Sequence, residues 1–336
     1  MFNRVKRVIK NIFEKGDQDI IPGLSEDPDY LCVRFQIEYH TCNLACPYCI
    51  ARCPEKENIF DMDSFKSIIE KLNTWNRKIV LRIGVQGELF TSPEIMTEVS
   101  RICNQENNFI GINFSSNLVA DWDRVIEPFI TRTNLKKLGM GCTLHDTVIK
   151  DTDMFFKKVE KLKKLGVLIY VGYVAFPDRI DKMKEYKKIC DGMNVPLIFN
   201  ALIGKYNEKH YPRDYTLEEK KELRKIWFTP HSFMVLVKSI DTFGMDCTAG
   251  HKFIYINSKG DIFPCHDIHK FMGNILNDKI TLNPEPMKCE VHKCFCGNQN
   301  QALCIVDRYY NRTRNPRIFF PKENFKRSDL FKGYKP

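Results

Sequence analysis

The sequence predicts an α/β chain: a partial (βα)6 barrel of the TIM type with a small C-terminal cysteine-rich β-hairpin extension. Three observations predict it. Six strand-like runs alternate with helical patterns between residues 30 and 228, the periodicity of parallel βα units. Residues of unusual chemistry (Cys42 to Cys49, Gly87-Glu88, Ser115-Ser116-Asn117 and Thr143) each come just after a strand, so they share the face made by the strands' C-terminal ends. Beyond the last unit, six of the fourteen cysteines fall between Cys247 and Cys304. An open doubly wound sheet has the same periodicity, and strand order is not legible at this stage.

The elements follow in order. Tyr30–Glu38 reads as a strand, followed by the first cysteine loop. Asp63–Asn73 is helical and Ile79–Val85 a strand. Ser92-Pro93 opens the next helix as N-cap and first-turn proline, with Glu94 favourable beside the helix dipole. Phe109–Phe114 is a strand, and Asp121–Ile130 is helical with an interruption at Pro128. Strand Leu138–Cys142 precedes a helix from about Asp153 to Lys164 that Gly166 ends. Val167–Val174 and Val195–Ala201 are strands flanking a helix over 179–193. Thr216-Leu-Glu-Glu219 has the spacing of a capping box and opens another helix. Near the C-terminus, Lys252–Ile256 and Asp261–Phe263 flank the turn signal Asn257-Ser-Lys-Gly260 of a hairpin.

Bulk composition narrows the function classes. The 336 residues, 43% of them hydrophobic, can bury a full-size core. No run of 18 apolar residues is present, and the N-terminus lacks the pattern of a secretory signal. A cytoplasmic chain with reduced thiols is the expectation, so its cysteines point to metal or catalysis rather than disulfides. Cys32, Cys103, Cys142 and Cys190 lie alone in strand-like or helix-like runs and read as small buried hydrophobes.

The net charge of +10 is confined to the ends: residues 1–15 carry +4 and residues 307–336 carry +6, leaving zero for the body. Residues 1–29 read as a basic amphipathic helix and linker, with Phe2, Val5, Ile9, Ile12 and Phe13 on one face. Such a helix either packs against the body, the preferred reading, or lies on an anionic membrane surface. The tail, 305–336, interleaves Arg308, Arg312, Arg314 and Arg317 with Tyr309, Tyr310, Phe319 and Phe320. That mixture suits an anionic membrane, a phosphorylated carrier or RNA, and equally suits packing along the barrel.

The first cysteine loop is Cys42-x3-Cys46-x2-Cys49. Cubane iron–sulfur clusters are usually held by four thiolates. Three on one short loop leave one iron open to bind a substrate or cofactor. A three-cysteine zinc site completed by His40 is the structural alternative. Cys53 has no place in the motif and reads as a spare thiol.

With Tyr48 just before its last cysteine, Cys42-Asn-Leu-Ala-Cys46-Pro-Tyr-Cys49 resembles the cluster loop of radical S-adenosylmethionine (AdoMet) enzymes. The resemblance implies a [4Fe-4S] cluster whose open iron binds AdoMet and cleaves it to a 5′-deoxyadenosyl radical that abstracts a substrate hydrogen. It also implies a reductant such as flavodoxin or ferredoxin. Gly84-Val-Gln86-Gly87-Glu88 stands where that family has a Gly-Gly-Glu-Pro pattern; Gly87 and Glu88 match, whereas Gln86 and Leu89 depart. Ser115, Ser116 and Asn117 resemble the polar turn that approaches the cofactor, and Thr143 and His145 stand where ribose-binding side chains lie. Ordinary turn chemistry accounts for the same residues.

Cys247-x12-Gly260-x4-Cys265 with Gly273-Asn274 resembles the SPASM or twitch extension of such enzymes. The twitch form implies one auxiliary [4Fe-4S] cluster held by Cys247 and Cys265, with two of Cys289, Cys294 and Cys296 completing it; a zinc knuckle is the alternative. His266 and Asp267 are candidates for an acid/base group in substrate oxidation or for hydrogen-bonding partners of the cluster. These readings divide the chain into 30–228, barrel, and 229–304, auxiliary unit, between the two basic ends. They favour oxidation of a small or carrier-linked sugar or alcohol. A peptide maturase is the alternative within the family, and a non-catalytic zinc protein holding nucleic acid is the alternative outside it.

Overall fold

The computed structural model describes residues 30–53, 56–227, 230–277 and 279–294. The basic N-terminal helix, the C-terminal tail, Cys296 and Cys304 lie outside the described residues.

Six parallel strands, β1 (Tyr30–Ile37), β2 (Lys78–Val85), β3 (Phe109–Ser116), β4 (Leu138–Leu144), β5 (Leu168–Ala175) and β6 (Leu197–Ala201), pair in chain order. A doubly wound sheet reverses its order at a switch point, and none is present among these strands. Sequential crossovers of one hand therefore place the helices on a single side. These are α1 (Met62–Asn73), α2 (Pro93–Asn104), α3 (Glu127–Thr131), α4 (Thr152–Lys164) and α5 (Ile180–Gly192). The main core fills the space between them and the strands: Leu31, Val33 and Phe35 of β1 meet Phe65, Ile68 and Leu72 of α1 in one buried cluster. Alternate residues of the strands face the other way, into the barrel lumen. The architecture is the partial barrel expected.

Local chemistry sets the helix ends. Ser92 Oγ accepts from Ile95 N with Pro93 in the first turn, as read from the sequence. Thr216 and Glu219 form the reciprocal capping box that opens α6 (Leu217–Ile226). Gly166 takes φ +89° just past α4, a conformation that favours glycine.

Two expectations need correction. Pro128 does not interrupt a helix: it sits in the first turn of α3, where its missing N–H is no loss, and a π-helical turn over Trp122–Ile126 precedes it. Strand β4 runs on to Leu144, and Ser115 and Ser116 end β3. Thr143, Ser115 and Ser116 are thus strand residues, and of this set only Asn117 lies in a turn.

Beyond β6 come the small hairpin β7 (Gly204–Tyr206) and β8 (Lys209–Tyr211), then α6 and α7 (Pro230–Leu236). The C-terminal hairpin, β10 (Phe253–Ile256) and β11 (Asp261–Phe263), joins the main sheet. Strand β10 pairs parallel with β1, Cys32 opposite Phe253, and β12 (Gly273–Asn274) pairs with β11 at the sheet edge. Strands β9 (Asp246–Cys247) and β13 (Met287–Lys288) form a separate two-stranded ribbon.

Candidate active site

The loop of Cys42, Cys46 and Cys49 leaves the C-terminal end of β1, and local turns shape it: Cys49 N donates to Cys46 O (3.0 Å) and Arg52 N to Cys49 O (3.1 Å). All three thiols are partly exposed. Burial pushes the Cys42 and Cys46 thiols up, and Cys49 acts on both in the same direction, so the three share one neighbourhood. Among the described residues no three His, Cys, Asp or Glu side chains already stand at mutual metal-ligand spacing. The case for a cluster therefore rests on the donor set and its place. Three thiols on a loop at the barrel mouth fit the three-thiolate chemistry of a cubane with one open iron.

The turn after β2 clamps this loop. Glu88 N donates to Thr41 O (2.9 Å), and Gly87 lies so near that a Cβ there would come within 2.2 Å of the same oxygen. Only glycine permits that approach. The Glu88 side chain is 2% exposed. Its carboxylate accepts from Asn117 N (2.7 Å) and Phe90 N (3.1 Å), and burial pushes its pKa up. It joins the β2 and β3 turns, with both oxygens occupied by backbone donors. Asn117 completes the clamp: its Nδ2 donates to Asn43 Oδ1 (2.7 Å) and lies 3.9 Å from Cys42 Sγ.

His40 does not complete a zinc site. Its Nδ1 bonds Glu57 O at 2.6 Å, and its Nε2 bonds the Gln86 side chain. Both ring nitrogens are engaged away from the thiols. Cys53 is more than a spare thiol: it is buried, bonds the Gln86 carbonyl, and is pushed up to about 11 by burial, then by Cys49 and Cys42.

Opposite the clamp, Tyr48 OH bonds His145 Nδ1 (2.9 Å), and the Tyr48 ring packs edge-on against Phe176 at 4.8 Å. Burial lowers the His145 pKa to about 4, so its ring is neutral near pH 7. The adjacent Asp146 is a hub that the sequence did not reveal. Its carboxylate accepts from Tyr173 OH, Arg179 Nη1 and Tyr186 OH, each at 2.9 Å. On the lumen face, Thr143 is opposite Gly172, and Ser115 bonds the Tyr170 phenol. A Cβ on Gly141 would meet that phenol oxygen at 2.4 Å.

A second buried cluster gathers Cys247, Cys265, Cys289 and Cys294 with Cys32, Val80, Tyr170, Ile198 and Phe253. Most of these partners begin their strands, so the four cysteines lie toward the N-terminal end of the lumen. Cys247 is opposite Met287 in the ribbon, which brings Cys289 beside it. Asp267 Oδ2 is 3.9 Å from Cys294 Sγ, whereas the mostly exposed His266 packs edge-on against Tyr255 at 5.3 Å.

No protein-family model matches the chain, and no curated protein matches it significantly. Solved structures do. Native anSMEcpe with bound AdoMet shares 20% identity over 74% of this chain and 79% of its own, with a TM-score of 0.52. The same protein with AdoMet and the Cp18Cys peptide gives 18% identity over 74% and 78%, TM-score 0.53. SuiB from Streptococcus suis gives 13% over 75% of this chain and 64% of its own, TM-score 0.53. Identity at this level speaks for the fold. The chain has the fold of these AdoMet-bound and peptide-bound structures, as its cysteine loop led us to expect.

Proposed function

We propose that the chain is a radical AdoMet enzyme in which Cys42, Cys46 and Cys49 hold a [4Fe-4S] cluster with one open iron. One observation carries the reading: a three-cysteine loop stands at the mouth of a partial barrel and is clamped by Gly87, Glu88 and Asn117. When bound, the cluster and AdoMet supply a 5′-deoxyadenosyl radical that abstracts hydrogen. The chain's own residues position and shield it. The Gly87 turn and Asn117 fix the cysteine loop, and the Tyr48–His145–Phe176 group walls the opposite side. The neutral His145 either accepts a hydrogen bond from the Tyr48 hydroxyl or donates one to it, and in both cases the pair adds no charge near the cofactor. Gln86, Gly87, Ser115 and Thr143 are the cofactor contacts that the reading assigns.

For the substrate, a peptide is better supported than the sugar or alcohol oxidation favoured by sequence. A peptide accompanies AdoMet in one neighbour, and SuiB has been solved with its precursor peptide SuiA. We assign the auxiliary cluster to Cys247, Cys265, Cys289 and Cys294, with Asp267 a hydrogen-bonding partner at its edge. Because the Asp267 carboxylate lies beside Cys294, the cluster-partner role suits it better than that of substrate base. Anaerobic reconstitution tests the reading. Iron together with dithionite-dependent release of 5′-deoxyadenosine from AdoMet, lost in a Cys42/Cys46/Cys49→Ala variant, is expected. Zinc with no iron overturns it.

A further inference from the structure

Four strands pass from buried to half-buried toward the barrel mouth, at Gly84 on β2, Ser115 on β3, Thr143 on β4 and Val174 on β5. Their neighbours Ile83, Phe114, Cys142 and Tyr173 sit in the core on the helix side, so alternation turns these four residues into the lumen. One step deeper on the same face, Arg82 is only 9% and Asn113 1% exposed. The lumen is open from its mouth down to Ser115 and closed beneath it.

Tyr170, 4% exposed, stands at the level of the closure. It is directly opposite Gly141, and Gly141 is directly opposite Ser115. A Cβ on Gly141 would come within 2.4 Å of the Tyr170 hydroxyl and 3.0 Å of Ser115 Oγ. The phenol therefore lies across β4 in the space that the glycine leaves, and its hydroxyl bonds Ser115 on β3. On the other side, Gln36 is laid over Gly84 in the same way, its Oε1 2.6 Å from where a Cβ would stand. Its Nε2 donates to Gly84 O (3.0 Å), and Arg34 Nη2 rises to donate to its Oε1 (3.1 Å). Farther up β1, Glu38 accepts from Ser258 Oγ (2.7 Å). Two side chains, each lying over a glycine, thus close the lumen between them.

The wall above the phenol is bare. Gly172 is the next lumen position on β5, and the atoms nearest a Cβ there are those of Thr143, at 3.5 Å or more, an ordinary van der Waals distance. Beneath the phenol, Cys247, Cys265, Cys289 and Cys294 pack with Tyr170 in one buried cluster.

We propose that Tyr170 is the floor of the reaction cavity. Its phenol stops an entering substrate at the level of Ser115, so this side chain sets how deep the substrate reaches and keeps it off the cysteine quartet. Calling the space a reaction cavity rests on the AdoMet reading above; the closure of the lumen does not.

The test uses the full-length chain, reduced and freed of metal, with iodoacetamide as a small neutral probe and mass spectrometry to follow each cysteine. Tyr170→Ala is expected to speed alkylation of Cys247 and Cys265 by at least about fivefold, because thiol reactivity follows access. Cys103, fully buried on the helix side, should stay slow. Tyr170→Phe keeps the ring and should keep the protection. Apolar cavities take up small aromatic molecules, so 4-methylphenol, the missing side chain, should return both thiols of the Ala variant to the wild-type rate. Unchanged rates at Cys247 and Cys265 overturn the proposal, as does an acceleration that 4-methylphenol leaves in place. Unfolding of the Ala variant would show as Cys103 reacting in step, and Tyr170→Leu then decides. Leucine keeps apolar bulk but cannot span Gly141 to Ser115, and it should open the same two thiols alone. Cys103 reacting in step in that variant too would make Tyr170 a core side chain only and overturn the proposal. Iron and AdoMet binding of the reconstituted wild type separate the two readings. No iron removes the radical mechanism and leaves the floor; iron and AdoMet bound, with alkylation indifferent to Tyr170, removes the floor alone.

Discussion

Gly87 lies against the carbonyl of Thr41, so close that a methyl group on its Cα would stand 2.2 Å from that oxygen and 2.7 Å from the carbonyl of Tyr39. Both neighbours are backbone and cannot swing away as a side chain would. Gly87→Ala must push the turn after β2 off the cysteine loop, breaking the bond from Glu88 N to Thr41 O. We expect a loss of about 1–3 kcal/mol in stability, typical of overpacking. Iron retained per chain after reconstitution should fall as well. Normal iron with unchanged denaturant stability would show that the contact is not a clamp.

His145 gives a pH signature. Its pKa falls from 6.5 to about 4 because burial disfavours the charged ring, with Asp146 opposing weakly. In the unfolded chain the ring takes up a proton near pH 6.5, so between that pH and about 4 the unfolded state binds more protons. Stability from this group is therefore complete above pH 6.5 and declines as pH falls toward 4. The full effect is on the order of 3 kcal/mol. His145→Gln, which keeps a polar partner for Tyr48, should flatten the fall in unfolding temperature between pH 7 and 4.5. Parallel curves for the two proteins would refute this.

Short-range features were legible in the sequence and long-range ones were not. Ser92-Pro93 and Thr216-x2-Glu219 could be read because a cap is settled within four residues. The cysteine loop was legible for the same reason. The parallel pairing of Cys32 with Phe253 joins residues far apart in the chain, and no local pattern announces it. That pairing brings the cysteine-rich unit against the barrel lumen. Arg34 and Arg82 lie far apart in the chain, and only the β1–β2 register sets them opposite each other. Pro128 was misread because a proline inside a helical pattern looks like a break, whereas one in a first turn helps to start a helix.

Asp146 joins β4 to β5 and α5 through Tyr173, Arg179 and Tyr186, and its side chain is 4% exposed. Asp146→Asn keeps the shape but removes the charge facing Arg179 and weakens the acceptor that serves both tyrosines. Arg179 is one-third exposed and can turn toward water, so the expected cost is about 2–3 kcal/mol, below that of breaking a fully buried pair. Urea unfolding of the variant measures it. A change under about 0.5 kcal/mol, the size of an ordinary surface substitution, would remove Asp146 as the organiser of this wall.

The auxiliary quartet separates from its competitor by single substitutions. Cys289 is 4% and Cys294 8% exposed in the buried cluster that also holds Cys247 and Cys265. Cys289 Sγ lies 3.9 Å from Thr242 Oγ1 and 3.7 Å from Val291 O, contacts that support a bound thiolate's neighbourhood without blocking it. If these four hold a second cubane, Cys289→Ala and Cys294→Ala should each lower iron from about eight to about four per chain, and Cys296→Ala should leave it near eight. The triple variant of the first loop should retain about four irons, and those should disappear when Cys294→Ala is added. Iron and sulfide assays with the visible absorbance of each variant decide the matter. Loss of iron in Cys296→Ala but not in Cys294→Ala would move the fourth ligand to position 296 and leave Cys294 a buried thiol beside Asp267.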